Sequence, residues 1–145
     1  MEIYTIGFTK KSAAEFFGLL SKAGIRRLLD VRLNNTSQLA GFAKREDLEF
    51  FLRELRGIEY RHEPLLAPSQ EMLDDFKKKK GAWSDYELAY RALLEQRQAD
   101  QALSRSLFEI PTVMLCSEAS ADQCHRRLAA AYLQEKWGNI RVIHL

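Results

Sequence analysis

Five short apolar runs, separated by stretches of helical periodicity, constrain this chain more than any other feature of its sequence. The runs are IYTIG (3–7), the apolar part of IRRLLDVR (25–31), IEYRH (58–62), IPTVMLC (110–116) and IRVIHL (140–145). Between the first two lies SAAEFFGLLSKAG, whose Ser12 and Glu15 have capping-box spacing and whose Gly24 sits where a helix C-cap belongs. Phe16, Phe17, Leu19, Leu20 and Ala23 give that helix an apolar stripe. REDLEFFLRELRG repeats the pattern and stops at Gly57. Helices are expected over 70–80 and 84–98, and a last one from a cap at Ser120, with Gln123 three residues on, to WGN. Strands alternating with helices of this length are βαβ crossovers, so the expected fold is α/β. We expect a single domain over 1–145: a mostly parallel five-stranded sheet with helices on both faces, in Rossmann-like layering.

LNNTSQLAGFAK has no periodicity, an unusual length for a loop in a compact domain unless it has a task. The lysine run 77–80 reads as a solvated helix end, where cations suit the macrodipole.

A parallel sheet binds ligands beyond the carboxyl ends of its strands. Gly7 ends the first run, Asp30 and Arg32 the second, Arg61 and His62 the third, and Cys116, Ser117 and Glu118 the fourth. Asp30 closes the apolar LLDV and needs a partner; Arg32, two residues on, points to the same side. The pair is either an ion pair that orders the following loop or part of a site. No GxGxxG and no Walker sequence occurs, which argues against both nucleotide-binding motifs. A helix starting near Ala121 offers free N–H groups to an anion, with Arg126 and Arg127 a turn further on and Glu118 and Asp122 opposing.

Both cysteines and one of three histidines fall within MLCSEASADQCHRRLAAAYL (114–133). For zinc, Cys116, Cys124, His125 and perhaps His62 are the available ligands. The C-x7-C-H spacing matches no finger or knuckle, and successive helical residues diverge by about 100°, so no metal or other cofactor is expected. A thiolate nucleophile at Cys116 or Cys124 fits a strand end followed by a helix N-terminus. A phosphatase loop is excluded, because its arginine six residues after the cysteine is here Asp122. Buried, unreactive cysteine is the competing reading.

Together, TIGFT, LLDVR, GFAKREDL, IEYRHEPL, WSDYELAYRALL and Cys116-x-Glu118 followed by Cys124-His125-Arg126 resemble the DUF488 family, small α/β proteins without an assigned function. The resemblance spans almost the whole chain and implies the same fold and rim. It also implies departures. Phe8 and Thr9 stand for a usual histidine and serine, Asn35 and Gln38 lie where proline and arginine are common, and Leu66 and Ala67 replace a glycine pair.

The functional expectation is an enzyme-like pocket for a small anionic or phosphorylated ligand. Thr5, Gly7, Arg32 and Arg126 would bind, with Arg32 and Arg126 holding the anion. Asp30 and Glu118 would act as acid or base, and Cys116, Cys124 and His125 would complete the chemistry. The alternative is a module without chemistry that binds nucleic acid or protein through KKKKGAW and CHRR, with Trp83, Tyr86 and Tyr90 for stacking. In that case the Cys-His-Arg cluster is structural. Charges of 22 against 20 leave a net of +2, too small to favour nucleic acid without a local patch. No run suits a membrane span, the start lacks signal-peptide form, and two cysteines make no disulfide framework, so a cytoplasmic protein is expected.

Overall fold

The computed structural model describes residues 1–36, 41–118 and 121–145 of the chain. Its centre is a five-stranded, all-parallel sheet in the order β3-β2-β4-β1-β5. The strands are β1 (Glu2–Gly7), β2 (Arg27–Asp30), β3 (Glu59–His62), β4 (Thr112–Cys116) and β5 (Arg141–His144). The helices are α1 (Ala13–Lys22), α2 (Arg45–Phe51), α3 (Gln70–Leu73), α4 (Trp83–Arg97), α5 (Ala99–Ala102) and α6 (His125–Trp137). α2 and α3 run on into π-helical turns, Leu52–Arg56 and Asp74–Lys78.

Side-chain alternation along the central strands explains the layering. Val113 and Leu115 of β4 point to one face, with Leu28 of β2 and Ile6 of β1, and meet Phe16, Phe17 and Leu20 of α1 and Leu48 of α2. Met114 and Cys116 point to the other face, with Leu29 and Ile3, and meet α4, α5 and α6. β4 is buried along its whole length because both faces are covered. Connections that move one way along the sheet carry their helices on one face and those that move the other way on the opposite face, as a single crossover hand requires.

Local signals hold where expected. The Glu15 N–H donates to Ser12 Oγ at 3.1 Å and the Ser12 N–H to Glu15 Oε1 at 3.4 Å, completing the capping box. Gly24 and Gly57 adopt positive φ where their helices end. The last helix differs. It begins at His125 rather than near Ala121, with extended Cys124 as its N-cap, and the expected cap Ser120 lies outside the described residues. Residues 121–124 form a turn that returns Cys124 to Cys116, a tertiary contact that overrides local helix preference.

The order places a topological switch point between β2 and β4. The chain leaves β2 towards β3 and leaves β4 in the opposite direction, towards β5. Their carboxyl ends therefore open a crevice, the usual ligand site of such sheets.

Candidate functional site

A cleft of about 320 Å³ occupies that crevice. Arg32, Leu33 and Asn34 enter it from the loop after β2, Cys116, Ser117 and Glu118 from the end of β4, and Cys124 and His125 from the start of α6. The far wall is aromatic: Phe76, Trp83 and Tyr86 line it, with the Trp83 and Tyr86 rings stacked at 5.1 Å and 18°.

Arg32 is fixed before any ligand arrives. Its Nε and Nη2 donate to Asp30 Oδ1 and Oδ2, both at 2.8 Å, in a fork that is almost fully buried. Asp30 also accepts the Arg32 backbone N–H at 3.2 Å and the Tyr60 hydroxyl at 2.6 Å. Burial, reinforced by the Asp30 carboxylate, pushes the Tyr60 phenol far above its ordinary range, so Tyr60 remains a donor. Asn35 Nδ2 donates to Tyr60 Oη at 3.3 Å, and the His62 ring donates from Nε2 to the Arg32 carbonyl at 2.9 Å. The Arg32 guanidinium lies 5.2 Å from the Phe8 ring centre. Its remaining terminal nitrogen, Nη1, is buried and has no hydrogen-bond partner among the described residues.

The cysteines and histidine converge beside it. The sulfurs of Cys116 and Cys124 meet at bonding distance, as a disulfide, while their Cα atoms stand 7.3 Å apart. Both residues are buried, so neither is presented as the exposed thiolate expected of a nucleophile. His125 Nε2 donates to the Val31 carbonyl at 2.8 Å, because a carbonyl can only accept. Burial brings the imidazole pKa down to about 4, and Nδ1 of the neutral ring keeps its lone pair. One ligand atom from each of Cys116, Cys124 and His125 lies within 4.8 Å of the others.

Four expected site residues do not line the cleft. Thr5 is buried inside β1, where Oγ1 and His144 Nδ1 share a hydrogen bond of 2.5 Å that links β1 to β5. Gly7 is a packing position: a Cβ there would sit 1.5 Å from the Glu118 carbonyl oxygen and 2.7 Å from Arg126 Nη1. Asp30 lies behind Arg32 with its acceptor sites occupied, which suits a positioning role rather than acid or base work. Arg126 is buried, and its Nη1 donates to the Glu118 carbonyl at 2.5 Å and to Cys116 Sγ at 3.3 Å. It therefore braces the turn between β4 and α6 instead of facing an anion. Burial lowers its pKa to about 10, which leaves it a cation at neutral pH. Glu118 does reach the cleft, held by Lys77 Nζ at 2.5 Å.

A family model described as "Domain of unknown function DUF488" matches residues 12–133. The chain belongs to the DUF488 family. No curated protein and no solved structure matches the chain. Several departures from the family pattern acquire a place in this DUF488 protein. Phe8 supplies the ring beside Arg32, and Asn35 joins the Asp30–Tyr60 network. Leu66 and Ala67 are tied down: the Leu66 carbonyl accepts the Tyr90 hydroxyl at 2.7 Å, and Arg97 Nη1 donates to the Ala67 carbonyl at 2.7 Å. Gln38 lies outside the described residues. Tyr60 and Phe76 escaped the sequence reading, whereas Lys77, Trp83 and Tyr86 entered it only through the nucleic-acid or protein-binding alternative. Tyr60 was open to inference, since it precedes His62 by two and so shares its side of β3. Among the described residues no helix is long and apolar enough to cross a membrane.

Proposed function

We propose that the cleft binds a small ligand with a planar, apolar part and a single anionic group, and that Arg32 receives the anion. The observation that carries this reading is Arg32, which lines the cleft and whose buried Nη1 is a preorganised donor with no acceptor among the described residues. A buried donor left unsatisfied costs about 1–3 kcal/mol, which an incoming oxygen would recover. Phe76, Trp83 and Tyr86 offer the planar part a face on which to lie.

The charges limit the anion. Arg32, Lys77 and Lys78 line the cleft against Asp74 and Glu118, three cations to two carboxylates, and Asp30 behind Arg32 brings the balance to zero. Lys77 is bound to Glu118 and Lys78 to Asp74. Attraction is thus local to one guanidinium, which suits a carboxylate or monophosphate better than a polyanion. The nucleic-acid alternative loses support at Tyr90, which is fully buried, and at CHRR, whose Cys124, His125 and Arg126 are buried. Whether chemistry follows binding depends on the cysteine-histidine cluster beside Arg32.

Trp83 reports directly. Fluorescence of a Trp137→Phe variant, titrated with adenosine monophosphate, adenosine and inorganic phosphate, should change with the monophosphate and respond at most weakly to either fragment. The response should fall on the order of tenfold or more in an Asp30→Asn/Arg32→Met variant, as loss of a charge-assisted bond implies. Equal responses in parent and variant would refute the role of Arg32. No response to the monophosphate or to a panel of aromatic carboxylates would refute the ligand class.

A further inference from the structure

We propose that Cys116, Cys124 and His125, in the dithiol form, bind a thiophilic divalent cation of the zinc class, with one coordination position open to the cleft. The inference goes beyond the ligand reading and does not rest on it. Three features of the geometry carry it.

The first is convergence. Two sulfurs and a ring nitrogen from positions 116, 124 and 125 lie within 4.8 Å of one another, and all three residues are buried in the cleft wall. Zinc at about 2.3 Å from each of two thiolates in a tetrahedral sphere needs its sulfurs about 3.8 Å apart. The sulfurs now in contact would have to part only that far. Their Cα atoms, at 7.3 Å, already stand beyond the roughly 4.4–6.8 Å usual for a disulfide, so the backbone is set for a wider bridge.

The second is the support behind the ligands. His125 donates its Nε2 proton to the Val31 carbonyl, which fixes the tautomer and leaves Nδ1 as the only nitrogen with a lone pair. A ligating histidine typically carries such an outer partner. Arg126 Nη1, 3.3 Å from Cys116 Sγ, favours a thiolate there.

The third is charge. Two thiolates and a neutral imidazole bring a divalent ion to zero net charge, which a buried site requires. Binding displaces one proton from each thiol and changes no oxidation state. No fourth histidine, cysteine or carboxylate joins the group among the described residues. Three protein ligands with an open fourth position characterise zinc that does chemistry, whereas structural zinc is closed by four.

The test uses the full chain, reduced with a phosphine, stripped of metal with a chelator and desalted without oxygen. Titration with Co²⁺ should develop thiolate-to-cobalt charge-transfer absorption and intense visible d–d bands, saturating at one ion per chain. Zn²⁺ should abolish both. Cys116→Ser and Cys124→Ser should each weaken binding by at least ~100-fold, the upper end of what loss of a supporting partner costs. If those variants do not fold, the wild-type titration decides alone. Absence of the charge-transfer band in reduced protein that is folded by circular dichroism overturns the proposal. So does a band that survives both substitutions, or failure to recover two titratable thiols without unfolding. None of these readouts involves Trp83 or an added ligand, so this site and the anion site can fail separately.

Discussion

Replacing Arg32 by methionine removes a guanidinium from a pair in which neither partner has meaningful access to water. Asp30 then loses two of its four hydrogen bonds and keeps only the backbone N–H of residue 32 and the Tyr60 hydroxyl. Breaking one side of a buried pair costs about 3–5 kcal/mol, because the surviving charge stays desolvated. The retained Tyr60 bond places the expectation at the lower end, about 3 kcal/mol. For a chain of 145 residues this lowers the melting temperature by roughly 10 °C. Neutralising Asp30 as well should recover much of the loss, so the Asp30→Asn/Arg32→Met variant should be about 1.5–2 kcal/mol more stable than the two single losses added together. Urea unfolding followed by circular dichroism measures all four proteins, with comparable m values as the condition for reading midpoints as stability. A loss below ~1 kcal/mol in Arg32→Met, or strict additivity in the cycle, would mean that the pair is solvated in solution. The case for Arg32 as a preorganised donor would then fall with it.

Gly7→Ala should cost at least ~2 kcal/mol in the same assay, since its Cβ meets the Glu118 backbone and no side-chain rotation relieves it. A loss under about 0.5 kcal/mol would show that the turn after β4 does not rest on Gly7. Stability of the reduced, chelator-treated protein should depend on His125. Its folded pKa of about 4 lies below the ordinary 6.5, so the unfolded chain binds the extra proton between those values. The contribution is therefore complete above pH 6.5 and drains away as pH falls towards 4, by up to about 3 kcal/mol. A His125→Gln variant should lack this slope; identical pH profiles would refute the buried neutral imidazole. Tyr90→Phe should cost roughly 1–2 kcal/mol, because it leaves the Leu66 carbonyl without its buried donor.

The architecture was legible because each signal it needs is local. Apolar runs of strand length, a capping box at Ser12 and Glu15, and glycines at 24 and 57 all act over a few residues and all appear in the structure. The strand order was not legible: the polar IEYRH suits an edge, but the runs do not say which neighbour each one takes. It emerges from which helix covers which face. That order also decided which rim residues form the site. Thr5 and Gly7 belong to β1, one strand away from the switch point, and so serve the sheet rather than the cleft. Arg126 sits beside His125 in sequence, but the helix turns it under the loop to bond the Glu118 carbonyl.

The cysteine-histidine cluster shows that ligand spacing alone does not say which donors converge when backbone conformation is unknown. Zinc was disfavoured because residues 124 and 125, taken as successive helical positions, would diverge by about 100°. Cys124 is instead the N-cap, extended at φ −137° and ψ 139°, and only His125 is helical. A change of backbone region between neighbours removes the helical divergence, so two adjacent side chains converge. The turn at 121–124 meanwhile carries Cys124 back to the end of β4, where Cys116 faces the same side of the sheet as α6. The three donors therefore meet through a late helix start, a strand parity and a switch point, none of which a ligand-spacing pattern encodes. The same late start leaves Glu118 outside the helix, and Lys77 reaches across to its carboxylate at the edge of the cleft.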